Sequence, residues 1–305
     1  MIKLSVVTTL YNSDKFILEF VDRITSSVKK LKLDFEIIFV DDGSLDNSAS
    51  VVESLAKSKT HIKLIKFSRN YGHHIAMVAG LEKAQGNYVF LIDVDLEEEP
   101  ELLVDFYNRI TKTKDDLIYG IQTKRNKDRI LGILFWKILN LFTGLDLSTN
   151  PCTVRIMSYD FVQKLKEFPQ KDFFLGELSS YIGLKQSTIN VKKLYKGHSS
   201  YSFLKKYTLL FNMLFTNVNN LWVRLSFFAA LMSILSFLFV VGLLISYLLG
   251  KTYLSGWLSL MVVITFFASI NFFFFGAILQ FMSKVLEETR SKPRFIIEKT
   301  INFDN

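Results

Sequence analysis

The segment Phe35-Glu36-Ile37-Ile38-Phe39-Val40-Asp41-Asp42-Gly43-Ser44 is a run of β-branched and aromatic residues that stops abruptly at two acids and a glycine. A short apolar run bounded by turn formers reads as a buried strand. The same punctuation recurs on both sides of it. Residues 4–9 read as a strand ending in Tyr11-Asn12-Ser13, residues 62–67 as one ending in Ser68-Arg69-Asn70, and residues 88–92 as one ending in Asp93-Val94-Asp95. Helical patterns fill the intervals at 15–31, 46–58 and 75–84, and Gly86-Asn87 turns the chain into the fourth strand. Strands separated by helices of this length predict βαβ crossovers, and so an α/β domain with a mostly parallel sheet. Ligands of such sheets bind beyond the carboxyl ends of the strands. An aspartate at one strand end can be no more than a cap for the next helix, a role Asp46 could fill alone. Four polar ends aimed at one crevice are a stronger sign of a site.

The acids at the fourth strand end suggest what the site holds. Asp93 and Asp95 stand on an extended segment, and a turn at this strand-to-loop transition would let both approach one hard cation. Mg²⁺ or Mn²⁺ takes oxygen ligands and commonly bridges carboxylates to substrate phosphates. Glu97 is near enough to add an oxygen, whereas Glu98 and Glu99 read as the start of a helix over 100–110. Four histidines, His61, His73, His74 and His198, have no metal-ligand spacing and read as structural.

The composition is uneven along the chain. Of 305 residues, 50% are hydrophobic and 29 are Phe, while Lys plus Arg (37) exceed Asp plus Glu (29) to give a formal +8. So much apolar surface excludes an intrinsically disordered chain. An excess of positive charge this modest, beside so much Phe and Leu, fits a membrane surface better than nucleic acid. Cys152, the single cysteine, leaves no disulfide framework and no cysteine metal cluster. The hydrophobicity gathers in two runs, 225–249 and 258–282, each long enough for the ~20 residues of a membrane-crossing helix. The turn between them carries Lys251, Tyr253 and Trp257. Basic residues flank the pair (Lys192, Lys193, Lys196, Lys205, Lys206 and Arg224 before it; Lys284, Arg290, Lys292, Arg294 and Lys299 after it), which places both ends in the cytoplasm. Residues 202–219 read as an amphipathic helix lying on the membrane. No secretory signal is expected at the N-terminus, where the first apolar residues run straight into a turn. The expected organisation is a catalytic domain over 1–200, an interfacial helix over 201–222, a transmembrane helix pair over 223–283 and a cytoplasmic tail over 284–305.

Several ordered motifs together make a recognisable pattern. These are Val6-Val7-Thr8-Thr9-Leu10-Tyr11-Asn12, Phe39-Val40-Asp41-Asp42-Gly43-Ser44, Ser68-Arg69-Asn70-Tyr71-Gly72, Asp93-Val94-Asp95-Leu96-Glu97 closing in Pro100-Glu101, Gly256-Trp257-Leu258, and the tail through Lys292-Pro293-Arg294. In these the chain resembles the family 2 glycosyltransferases with a GT-A fold. Within them it is similar to the polyprenyl-phosphate sugar transferases, the group of dolichol-phosphate mannose synthase and the bactoprenol glucosyltransferases. The resemblance implies a nucleotide-sugar-binding GT-A domain with a C-terminal two-helix transmembrane hairpin, seated in a bacterial inner membrane. It implies that Thr9, Tyr11, Asp41 and Asp42 hold the donor's base and ribose, and leaves open which aspartate meets the base. Asp93 would lie near the ribose or sugar, and Asp95 with Glu97 would carry Mg²⁺ or Mn²⁺ on the diphosphate. The family often has Gln where Glu97 stands.

The acceptor site is expected between the sheet and the membrane. The charge run Lys124-Arg125-Asn126-Lys127-Asp128-Arg129 precedes an apolar, aromatic stretch with Phe135, Trp136 and Phe142. The family places arginines here, which makes Arg125 and Arg129 the candidates for gripping a polyprenyl phosphate. Arg155 matches a family arginine, with Thr153 where an acid usually precedes it. Near Gly197-His198-Ser199-Ser200-Tyr201, Leu194 stands in place of an expected arginine, and Lys193 or Lys196 would supply the cation. Glu177 stands roughly where hydroxyl-accepting relatives carry a base and reads as a helix start. A lipid phosphate is already largely ionised near pH 7 and attacks without a strong general base. Two other functions fit less well. A processive polysaccharide synthase would carry a Gln-x-x-Arg-Trp motif, and no tryptophan here follows an arginine. A non-catalytic membrane assembly partner would not need the Asp93 and Asp95 pair. A homo-oligomer is compatible with either a membrane enzyme or such a partner.

Overall fold

The computed structural model describes residues 2–122, 151–167, 181–193 and 293–303, together with Ser179 and single positions between 245 and 289. Four strands form its parallel centre: β1 (Leu4–Leu10), β2 (Phe35–Asp41), β3 (Ile62–Phe67) and β4 (Tyr88–Leu91). Every residue of β1 is buried, as expected of a strand covered on both faces. The crossovers are α1 (Asp14–Leu31), α2 (Ser48–Ser58) and α3 (His73–Lys83). Helix α1 buries Ile17, Phe20, Val21, Ile24 and Val28 at helical spacing, and its other face is polar apart from the exposed Leu18. It stops at Lys32, whose φ of 53° is left-handed and whose N–H returns to the Lys29 carbonyl.

Beyond β4 come α4 (Leu102–Thr113), β5 (Leu117–Gln122), β6 (Pro151–Ser158), α5 (Tyr159–Lys166), β7 (Gln186–Val191) and β8 (Ile297–Ile301). Among the described residues the sheet has the order β7-β5-β6-β4-β1-β2-β3-β8. Strand β6 runs antiparallel to both β4 and β5, and β8 runs antiparallel to β3. The mostly parallel reading therefore holds for the centre, and both flanks are mixed. One core, with Phe20, Phe39, Phe90 and Phe106, lies on one side of the sheet. A second, with Val7, Ile38, Val40, Met77 and Phe161, lies on the other.

The chain divides into two compact units, one of Met1–Lys137, Leu145–Ser202 and Lys292–Asn305, the other of Ile138–Gly144 and Phe203–Ser291. Strand β8, from the stretch expected as a cytoplasmic tail over 284–305, belongs to the first unit's sheet. Phe295 stacks on Phe67 with ring centroids 4.9 Å apart, and Asn302 Nδ2 donates to the Ala56 and Ile62 carbonyls at 2.8 Å each. A strand from the far end of the chain thus covers the open edge of β3.

In the second unit only single positions are described. Leu260, Ile264, Phe275 and Met282 are helical, and each is more than half exposed. Asn271 Nδ2 donates to the Phe267 carbonyl, one helical turn before it, at 3.0 Å. Among the described residues no helix is long and apolar enough to cross a membrane. Most of 223–283, and all of 201–222, lie outside the described residues.

Candidate active site

Strand register carries the central strand ends to one level. Leu10 of β1 stands opposite Asp41 of β2, and Val7 of β1 opposite Leu91 of β4. The Ile92 N–H still bonds to the Val7 carbonyl, and Asp93 comes next. His73, the first residue of α3, closes this corner. Its Nδ1 lies 2.9 Å from Thr9 Oγ1, and its Nε2 lies 3.3 Å from Asp93 Oδ1.

The two aspartates after β2 do different work. Asp41 is fully buried, and its Oδ1 accepts the Ser44 N–H at 3.3 Å. Its Oδ2 has no hydrogen-bond partner among the described residues. Burial raises the Asp41 pKa, with the Ser44 hydrogen bonds pulling the other way. Asp42 spends both oxygens on backbone: Oδ1 accepts the Tyr71 N–H at 2.7 Å, and Oδ2 the Gly72 N–H at 3.0 Å. Its carboxylate therefore fixes the chain where α3 begins. Gly43 has a φ of +70°, and a Cβ there would run into the Arg69 and Asn70 backbone. Only glycine lets these two turns meet. Asp46, suspected as a cap, accepts the Ser48 N–H at 2.9 Å and the Asp14 N–H at 3.1 Å, joining the starts of α1 and α2.

After β4 burial keeps a period of two. Val94, Leu96 and Glu98 are buried, while Asp93, Asp95 and Glu97 are half-buried. The chain turns at Val94 and Asp95, as expected, and bends over 96–98, and the three partly exposed acids lie close together there. Leu96, with φ 61°, anchors the loop in the core, and Asp95 Oδ1 accepts the Glu97 N–H at 3.0 Å. Burial raises the Asp95 pKa; the Glu97 N–H opposes the rise, and the charges of Asp93 and Glu97 add to it. Carboxylates held in this repulsion suit a hard divalent cation. Among the described residues no group of three or more His, Cys, Asp or Glu side chains could hold a metal. A cation on Asp95 and Glu97 would draw its other ligands from substrate oxygens or water.

Glu98, expected to start a helix, is instead fully buried. Its oxygens accept the Thr153 and Val154 N–H groups of β6 at 3.0 and 2.8 Å, and Lys193 Nζ stands 3.3 Å from it and 3.6 Å from Glu97. Burial and the nearby Asp93 charge push the Glu98 carboxyl upward in pKa. Lys193 stays charged because its acidic neighbours outweigh its burial. Arg155 is also buried, its guanidinium donating to the Thr153 and Cys152 carbonyls at 3.0 and 3.1 Å. Burial lowers its pKa to about 10. In this arrangement Arg155 buttresses the start of β6, beneath the acid face. Tyr11, 51% exposed, stands at the rim.

Of the residues expected in the site, Thr9, Asp41, Asp42, Asp93, Asp95 and Glu97 gather at the strand ends. Arg125, Arg129, Lys196 and Glu177 lie outside the described residues. His73, read as structural, stands between Thr9 and Asp93, directly after the Asn70-Tyr71-Gly72 turn. His74 next to it is half-buried, with its pKa lowered to about 4 chiefly by desolvation.

Residues 5–168 match the family model described as Glycosyl transferase family 2. The chain belongs to glycosyl transferase family 2. A Mycobacterium tuberculosis protein named as a glycosyltransferase is 33% identical over 99% of this chain and 89% of its own length. The undecaprenyl-phosphate 4-deoxy-4-formamido-L-arabinose transferase of Proteus mirabilis is 26% identical over 98% of this chain and 94% of its own. Among solved structures, glucosyl-3-phosphoglycerate synthase from Mycobacterium tuberculosis, in complex with Mn²⁺, UDP and phosphoglyceric acid, superposes with a TM-score of 0.54. That match covers 72% of this chain and 78% of that one at 17% identity, a likeness of fold. This family 2 glycosyltransferase is thus an enzyme of the transferase type with the expected GT-A architecture, its acids at the strand ends where the fold binds ligands.

Proposed function

We propose that this glycosyltransferase moves one sugar from a nucleotide-sugar, UDP-glucose-like or GDP-mannose-like, to polyprenyl phosphate at the cytoplasmic face of a bacterial inner membrane. The observation that carries the donor side is the acid cluster after β4, where the charges of Asp93 and Glu97 both bear on Asp95, beside the Thr9–His73–Asp93 contacts. Asp41 is the better candidate for the base, since its Oδ2 is uncommitted while Asp42 is taken up by Tyr71 and Gly72. Similarity to an undecaprenyl-phosphate sugar transferase over 98% of this chain supports the acceptor.

In the proposed reaction a lipid phosphate oxygen attacks the anomeric carbon from the face opposite the leaving group. The new carbon–oxygen bond forms as the bond to the nucleoside diphosphate breaks, so the configuration inverts. The nucleophile is an ionised phosphate and no proton has to be removed. Mg²⁺ or Mn²⁺ on Asp95 and Glu97 would supply positive charge to the departing diphosphate. Arg125, Arg129 and Lys196 would grip the acceptor phosphate.

The membrane reading rests on the two uncharged runs within 223–283 and on exposed apolar side chains such as Phe275 at helical positions.

The test is to incubate membranes with labelled nucleotide-sugars, polyprenyl phosphate and Mg²⁺, then extract lipid. Label in a mild-acid-labile lipid, reduced at least a hundredfold by Asp95→Ala, is the expected result (order of magnitude for lost electrostatic stabilisation). Label in an alkali-stable polymer would point to a processive or hydroxyl-accepting enzyme. No label with any donor would overturn the reading.

A further inference from the structure

We infer that His73 is a positioning residue of the donor site, holding Asp93 through one ring nitrogen while Thr9 sets the ring through the other. The inference rests on the proposed reading of Asp93 as a contact of the donor's ribose or sugar.

The residues reach this arrangement from three elements. Thr9 is the last residue but one of β1, Asp93 follows β4, and one imidazole reaches both. His73 comes from the far side of the sheet, as the first residue of α3. Its approach is fixed by Asp42, which clamps the Tyr71 and Gly72 N–H groups just before it. The helix itself is seated by Gly80, where a Cβ would run into Val7 Cγ1. The imidazole, its side chain 40% exposed, stands 2.9 Å from Thr9 Oγ1 on one side and 3.3 Å from Asp93 Oδ1 on the other.

Hydrogen bookkeeping decides the direction of each contact. An ionised carboxylate only accepts, so the nitrogen facing Asp93 carries the hydrogen. In the neutral ring that is Nε2–H, and Nδ1 then accepts the Thr9 hydroxyl hydrogen. Thr9 is left with lone pairs to offer a ligand N–H or O–H, and Asp93 keeps Oδ2 for a ligand hydroxyl. The imidazole acts as a spacer that presents two acceptors at a set separation.

This role makes a prediction that a packing role does not. A glutamine amide nitrogen reaches about as far as Nε2, whereas an asparagine amide nitrogen falls near Nδ1. His73→Gln therefore keeps the hold on Asp93, and His73→Asn keeps only the Thr9 side. With the full-length enzyme in membranes and the donor selected by the labelled-sugar assay, His73→Asn and His73→Ala are expected to raise the donor KM about tenfold with kcat changed less than about threefold, as for loss of one contact to a charged group. His73→Gln is expected to stay within about threefold of the parent in both constants. Equal donor KM values in His73→Asn and His73→Gln overturn the inference, as does a loss confined to kcat. A parent enzyme that transfers no sugar from any donor overturns the functional reading, and this inference with it.

Discussion

Lys193 Nζ lies 3.3 Å from Glu98 Oε1, joining the end of β7 to a carboxylate buried below the acid face. Glu98 also carries the first amides of β6, so a single side chain ties the acid loop to the antiparallel flank of the sheet. Removing one partner of a buried pair leaves the other charge without compensation. Lys193→Met is expected to lower stability by about 2–3 kcal/mol, and Glu98→Gln in the same background to recover part of it. Denaturant midpoints of the single and double variants measure this, and additive losses would refute the coupling.

Gly43→Ala places a methyl group against the Arg69 and Asn70 backbone at a φ of +70°. The strain and the clash act together, and the turn that leads to His73 has to shift. A loss of about 2 kcal/mol or more is expected. Thermal melting checks it, and an unchanged melting temperature would refute the close approach.

Asp115 accepts from Ser187 Oγ at 2.6 Å and Thr113 Oγ1 at 2.7 Å and pairs with Lys185 Nζ at 2.9 Å. Burial would raise its pKa, but these three partners outweigh it and hold it at about 2. The folded state thus binds this proton more weakly than the unfolded state, whose carboxyl titrates near ~3.9. The resulting stability, roughly 2 kcal/mol, is present above about pH 4 and is lost as pH falls towards 2. Asp115→Asn should accordingly be less stable than the parent at pH 7. The difference should shrink between pH 4 and 2 in urea titrations at each pH.

Asn302→Ala removes both hydrogen bonds that pin the end of β8 to the Ala56 and Ile62 carbonyls. A loss of about 1–2 kcal/mol is expected, together with faster amide exchange along β3. Unchanged exchange at Leu64–Lys66 would show that β8 does not protect this edge.

Much of the central architecture was legible before any coordinates. The strand over 62–67 coincides with β3, and α1 begins one residue before the expected start at Lys15. Uniform apolar runs and 3.6-residue periodicity are local signals, and here tertiary packing agrees with them. The turn between Asp93 and Asp95 was legible too, since a strand-to-loop transition falls there.

Other features depend on partners far apart in the chain. Glu98 stands in a run of three glutamates, and nothing local distinguishes it from its neighbours. Its burial is decided by the β6 amides and Lys193. His73 resembles His74 in sequence, yet only His73 meets Thr9 and Asp93. Residues 297–301 are largely polar and exposed, and they become a strand because β3 offers an unpaired edge. By itself the sequence determined the parallel βαβ centre, the acidic strand end and the apolar block, because these are encoded by residues a few positions apart. The tertiary structure alone decided which carboxylates are clamped and which are left facing the crevice, because that depends on backbone donors brought together from separate crossovers.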